Sequence, residues 1–200
     1  SALSEAEQYQ KLIAQIDPNR TYSAVEKENI GNAYLMLASQ EGNTPEQEEY
    51  FFQKALEYGS ASAYMGLYFI YLEKNPGKAI CYLHQYVATG PRDVLPYVIL
   101  SEIELDKKNY RAAQEYLLKA KKVARGHSAN IDWLLFQASY LLGDYAAAST
   151  MLDSAVTRGQ YATQLKTLVT DDSRYAGLLK RSEFRKYEPM LQGSTAMAAE

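Results

Sequence analysis

The segment NYRAAQEYLLKA, from Asn109 to Ala120, decides the fold. Its residues Ala113, Tyr116, Leu117 and Ala120 are spaced i, i+3, i+4, i+7, which is one face of an α-helix. The same quartet recurs along the chain. Upstream it reads Glu48, Phe51, Phe52, Ala55 and then Ala79, Tyr82, Leu83, Tyr86; downstream it reads Ala148, Met151, Leu152, Ala155. Successive copies are 31, 34 and 35 residues apart. A second series lies between them: Ile30-Gly31, Met65-Gly66, Leu100-Ser101 and Leu135-Phe136, each pair 35 residues from the next. Tyr34 and Phe69 follow three residues after the first two pairs. Each unit is therefore two helices, a first with an apolar-small pair and a second with the quartet. A period in this range is the mark of a repeat architecture, in which one unit cannot bury its own apolar face and neighbours bury it for one another.

The punctuation agrees with four such pairs. Second helices are expected to run out at Gly59, Gly90, Gly126 and Gly159, since glycine tolerates the positive φ just past a helix end, and Pro91 firms the second of these stops. Thr44-Pro45 with Gln47 reads as an N-cap, a first-turn proline and a capping box. Asn109, Ser128 and Asp144 sit where N-caps belong. No run alternates as a half-buried strand would. The expected layout is one helical domain over 1–191. An N-terminal helix from Leu3 to Ile16 and a linker fill 1–22, four helix pairs fill 23–160, and two or three short capping helices fill 161–191. The polar stretch 192–200 is expected to be a flexible tail.

Composition narrows the function. With 47% apolar residues among 200, the chain can bury a core and is not a disordered segment. A net charge of −3 argues against a primary nucleic-acid binder. No apolar run is long enough to span a membrane. The lone Cys81 rules out an intrachain disulfide, which leaves cytoplasm and periplasm both open. The chain opens at Ser1 with no methionine, as a trimmed chain or a mature exported one would. Tyrosine is abundant, at 18 residues. It suits helix seams as well as binding surfaces, and packing is the reading for most of them.

Residues able to do chemistry are few and scattered. His84 and His127 lie 43 residues apart in different units, so both read as structural or surface residues and no metal site is expected. Cys81 reads as a small core residue, since nothing marks a base beside it. No nucleophile elbow, phosphate loop or zinc-protease motif occurs. The adjacent acids Glu48-Glu49 and Asp171-Asp172 do not face each other on a helix and read as solvated face or cap. Lys119, Lys121, Lys122 and Arg125 end the third unit's second helix, where cations favour the helix dipole. Charge is lopsided: residues 1–60 hold ten acids and four bases, while Arg174 to Glu188 holds five bases and two acids. No catalytic residue and no cofactor is expected.

These residues resemble the tetratricopeptide repeat (TPR) family over roughly residues 23 to 160. The third unit carries the likeness with Tyr97, Leu100, Tyr110, Ala113, Leu117 and Ala120. The fourth adds the inter-helix turn Gly143-Asp144-Tyr145, then Ala148, Leu152 and Ala155. The stretch from Tyr50 to Tyr68, YFFQKALEYGSASAYMGLY, is similar to SEL-type relatives. Asp172 to Tyr175, Leu178-Leu179, Glu183-Phe184 and Tyr187 resemble the closing helices that follow such repeats in many bacterial proteins. Their apolar residues are expected to cover the last pair, with Arg174, Lys180, Arg181, Arg185 and Lys186 facing water. Three departures stand out. Ser101 and Phe136 replace the glycine of the first helix, and Phe136 is expected to splay or shift the fourth pair. The first unit's inner loop, through Glu41 to Thr44, is about four residues longer.

The resemblance implies an all-α fold, an α-α superhelix or solenoid of about four TPR-like pairs, and a non-enzymatic scaffold or assembly adaptor that binds a protein or peptide in a concave groove. First helices line that groove in the family. The implied positions are Glu28 and Asn32; Ala63, Leu67 and Tyr71; Val98, Glu102 and Leu105; Trp133, Gln137 and Tyr140. Such a surface suits an extended or helical peptide with apolar anchors and a basic residue. Trp133 reads equally as a packing residue between the third and fourth pairs. Family members that clamp an acidic chaperone tail use cationic and asparagine side chains in these slots. Asn32 fits that pattern and Glu28 has the wrong sign, so no such clamp is expected. The alternatives are a self-associating structural subunit (a homo-oligomer) and, behind it, an enzyme with an unrecognised site.

Overall fold

The computed structural model describes residues 4–126, 128–159 and 161–192. The expectations for His127, the helix start at Leu3 and the tail from 193 onward lie outside the described residues. The chain divides into two compact units, Ser1–Pro91 and Arg92–Glu200. The first holds α1 (Glu5–Ala14) and the pairs α2 (Ala24–Ala38) with α3 (Pro45–Glu57) and α4 (Ala63–Lys74) with α5 (Pro76–Ala88). The second holds the pairs α6 (Leu95–Asp106) with α7 (Tyr110–Val123) and α8 (Ala129–Leu141) with α9 (Tyr145–Gly159). It closes with α10 (Ala162–Asp171), three 3₁₀ turns (Ser173–Tyr175, Leu178–Lys180, Ser182–Tyr187) and α11 (Glu188–Gln192).

Starts and stops follow local chemistry. Ser4, Ser23 and Thr44 each close a reciprocal capping box, with Glu7, Glu26 and Gln47. The Asp144 carboxylate accepts the Ala147 N–H at 3.1 Å, as a cap should. Asn109 and Ser128 stand at helix starts, but neither side chain caps. Asn109 instead donates to Glu104 at 2.7 Å. Gly59 and Gly90 take φ of 86° and 68° after α3 and α5, as expected. After α7 the left-handed residue is Arg125 (φ 50°), one position before Gly126. In the turn between α6 and α7 it is Lys108 (φ 64°).

Within each unit the quartets face inward. Ala55, Ala79 and Leu83 in the first unit have no exposed surface, nor do Ala113, Leu117, Ala120, Ala148, Leu152 and Ala155 in the second. Small residues there let helix axes approach closely, because no side chain stands between the backbones. The first helices reciprocate. A Cβ added to Gly66 would stand 2.2 Å from the tip of the Phe52 ring, so α4 meets α3 through the missing methyl.

The departures at Ser101 and Phe136 are accommodated without splaying the fourth pair. Ser101 is buried and donates to the Val98 carbonyl at 2.6 Å. Phe136 is also buried, with its ring against the closing segment, 6.0 Å from Tyr175 and 6.2 Å from Phe184, while α8 still packs along α9. The ring's volume is absorbed by the cap. Under the same cap, Tyr175 is fully buried and its hydroxyl has no hydrogen-bond partner among the described residues. Cys81 corrects another expectation: it is exposed rather than buried. It sits on the outer side of α5, where Ala79 and Leu83 take the inward positions.

Gly66→Val is expected to lower stability by about 2 kcal/mol, since a branched side chain must displace the Phe52 ring. Gly77→Ala, whose Cβ would meet nothing closer than 3.5 Å, is the control and should be neutral or stabilising. Urea denaturation of the two variants measures the difference.

Candidate partner-binding surfaces

On α2, Glu28 and Asn32 are both exposed, one helical turn apart. On α4, Ala63 and Leu67 have no exposed surface and belong to the core; the available side chain there is Tyr71, which is half-buried. The Tyr71 hydroxyl donates to the Glu49 carboxylate, and the Lys78 ammonium lies 3.7 Å from the centre of its ring. Tyr82 approaches the same ring at 5.7 Å. The bond to Glu49 holds the Tyr71 proton, so its pKa lies above the ordinary tyrosine value. Glu49 is thus a partner in a polar-aromatic cluster rather than a freely solvated acid. Met36 on α2 and Phe69 and Leu72 on α4 leave large apolar surface exposed.

The second unit presents a narrower set than the sequence suggests. Val98 and Leu105 are buried, and Glu102 stands exposed between them on α6. Its carboxyl pKa is raised, first by partial desolvation and then by the Asp106 charge one turn on. On α8, Gln137 is half-buried and is the accessible member of its trio. Trp133 is buried and stacks on Tyr161 at 5.0 Å with an interplanar angle of 17°. Tyr140 is buried and stacks on Tyr175 at 5.0 Å. The expected aromatic end of the surface is therefore largely packed beneath the closing segment.

The charged residues sort differently from their sequence grouping. Lys121 leaves the basic cluster at the end of α7 to pair with Asp132, which is fully buried on α8, at 2.7 Å. Ser154 of α9 donates to the other Asp132 oxygen at 2.5 Å, so one carboxylate ties three helices together. Asp172 accepts from the Arg174 backbone N–H at 3.0 Å and also grips its guanidinium, with Nη2 at 2.6 Å, so it acts as cap and ion-pair partner. Arg181 lies 3.5 Å over the Tyr145 ring, and Lys186 pairs with Asp153 at 2.5 Å. These cations remain exposed, as expected, yet three of the five are already engaged. Sequence gave no signal for the contacts, because each joins residues far apart along the chain or hidden within a charge run. Among the described residues, no three His, Cys, Asp or Glu side chains converge as a metal site, and no helix is long and apolar enough to cross a membrane.

Solved structures share this arrangement of helix pairs. YrrB, described as a TPR protein with an unusual peptide-binding site, superposes with a TM-score of 0.64 at 18% identity over 95% of both chains. The chain has the tetratricopeptide-repeat fold. Pseudomonas aeruginosa PilF matches with a TM-score of 0.54 at 20% identity, over 82% of this chain and 76% of that one. The C-terminal part of a TPR repeat-containing protein from Cytophaga hutchinsonii matches with a TM-score of 0.54 at 14% identity, over 93% and 71%. No protein-family model and no curated protein matches the sequence. At these identities the likeness establishes the TPR fold and not a shared ligand.

Glu102 gives this surface a pH signature. A carboxyl whose folded-state pKa is raised destabilises the fold once it ionises, so its favourable contribution is present below the unfolded pKa and lost as pH rises through the folded one. Glu102→Gln is expected to raise the melting temperature at neutral pH. The gain should vanish in acid, where wild-type Glu102 is already protonated; thermal unfolding at both pH values checks this.

Proposed function

We propose that this TPR-fold chain is a non-enzymatic protein-interaction scaffold, with the first helices of each unit presenting side chains to an extended or helical peptide segment. The observation that carries the reading is the set of first-helix side chains left accessible: Glu28 and Asn32 on α2, Tyr71 on α4, Glu102 on α6 and Gln137 on α8. These are the positions where a helix-pair repeat offers side chains to a partner without disturbing its own packing. Their chemistry selects the ligand. Glu28, Glu102 and Asp106 are acidic and favour a basic residue in the peptide. A cation beside Glu102 would also offset the Asp106 charge, which adds to the desolvation that raises its pKa. Tyr71 is fixed by Glu49 and Lys78, so its ring is ordered before binding and little side-chain entropy is lost on contact. Met36, Phe69 and Leu72 supply exposed apolar area for anchors.

The fold supports the reading at the level of class. YrrB is described as having a peptide-binding site, and a protein partner is the ordinary use of stacked helix pairs. The absence of a recognisable catalytic arrangement in the sequence supports a scaffold over an enzyme.

Selection from a displayed peptide library, followed by calorimetry on the winners, tests the proposal. Bound peptides should pair apolar residues with Lys or Arg. A Glu28→Lys, Gln137→Lys variant with an unchanged circular dichroism spectrum should weaken binding by about tenfold or more, as loss of a charge-complementary contact does. Peptides that bind wild type and variant equally would place recognition on another surface.

A further inference from the structure

Two clefts in the second unit adjoin on the side of the inter-helix turns. One is lined by Lys108, Tyr110, Arg111 and Glu115 among others, at the turn between α6 and α7. The other, of about 560 Å³, is lined by Tyr140, Tyr145, Arg174, Lys180 and Arg181 with Leu141 and Gly177. Tyr110 and Tyr145 occupy matching places, each opening the second helix of its pair. Arg181 of the closing segment lies over the Tyr145 ring, at 3.5 Å from its centre. Leu142 lines the first cleft and its neighbour Leu141 the second, so the two adjoin at the turn between α8 and α9.

The charges in this surface are unevenly compensated. Asp172 holds Arg174 through both carboxylate oxygens, at 3.0 Å from Nε and 2.6 Å from Nη2. Among the described residues, neither Lys180 nor Arg181 forms an ion pair with a carboxylate and no acid lines the second cleft, though Arg181 also feels the charge of Glu183 two residues on. Arg181 is held against Tyr145, whose ring in turn packs edge-on to Tyr140 at 5.4 Å. A guanidinium fixed in this way is ordered before it meets an anion, and its planar fork of five N–H donors suits a carboxylate. Lys180 adds a mobile cation beside it. Lys108 and Arg111 extend the positive surface into the neighbouring cleft, where Glu115 is the one opposing charge among the lining residues.

We infer that this paired cleft is a second docking site, taking an acidic segment of a partner polypeptide, with Lys180 and Arg181 receiving its carboxylates against the Tyr140 and Tyr145 rings. Its length across two repeat turns fits an extended acidic stretch better than a single small anion. The ligand chemistry is opposite in sign to that of the first-helix surface. Apart from Tyr140, no residue of that surface lines the cleft, so either site can fail without the other.

The test uses fluorescein-labelled hexaglutamate with the full chain and reads fluorescence anisotropy at low and moderate salt. Saturable binding that weakens with salt is expected. A Lys180→Gln, Arg181→Gln variant should weaken it by about tenfold or more, the scale on which charged contacts count. Lys180→Gln alone changes an exposed side chain with no packing role and should give a smaller loss with the fold intact. Lys119→Gln, Lys122→Gln removes the same charge at the end of α7 and should leave binding within about twofold of wild type, as distant screened charges do. No saturable binding, or equal losses in the cleft and control variants, would overturn the proposal. So would concentration-dependent self-association abolished by the cleft variant, which would make a second copy the occupant.

Discussion

Close approach of two helices across a strip of alanine is the contact on which this fold rests. Ala79, Ala113 and Ala148 open the quartets of their second helices, Ala55, Ala120 and Ala155 close theirs, and all six are fully buried. Each contributes little apolar area of its own. Their value lies in what they permit: larger neighbours such as Leu83, Leu117 and Leu152 reach across a short gap and bury completely. Gly66 serves the same geometry from the opposite side, by leaving room for the Phe52 ring. Lengthen any of these side chains and the helices must separate, exposing the leucines that the approach was covering.

The fourth pair shows how far the scheme can bend. Phe136 occupies a place that a small residue fills in earlier units, and the structure accepts it by building an aromatic cap around the ring. Trp133, Tyr140, Tyr175 and Phe184 all lie within 6.2 Å of it, centre to centre. The buried Asp132 carboxylate adds a polar tie among α7, α8 and α9. A buried ion pair contributes little net stability against an apolar substitute, yet it penalises any arrangement that separates Lys121 and Ser154 from the charge. Its contribution is to the register of three helices more than to their total stability.

The helix pairs were legible because their signals are local. The i, i+3, i+4, i+7 spacing, the capping box at Thr44 and the glycines after α3 and α5 lie within a turn or two of what they specify. The surface was legible only in part, because exposure depends on neighbours that the pattern does not name. Glu28, Asn32, Glu102 and Gln137 emerge with accessible side chains. Ala63, Leu67, Val98, Leu105, Trp133 and Tyr140 are taken up by packing. Trp133 is covered by Tyr161, 28 residues on, and Arg181 finds Tyr145 36 residues back. Cys81 illustrates the same limit at one position: cysteine is usually buried, but helix phase alone turns this one outward.

The aromatic cap also has a consequence in time. A polypeptide is made from its N-terminal end, so Trp133, Phe136 and Tyr140 emerge from the ribosome before Tyr161, Tyr175 and Phe184 have followed them out to cover them. During that interval the growing chain carries an uncovered aromatic face at its newest end. Completion of the closing segment is therefore the step that turns a sticky intermediate into a finished molecule.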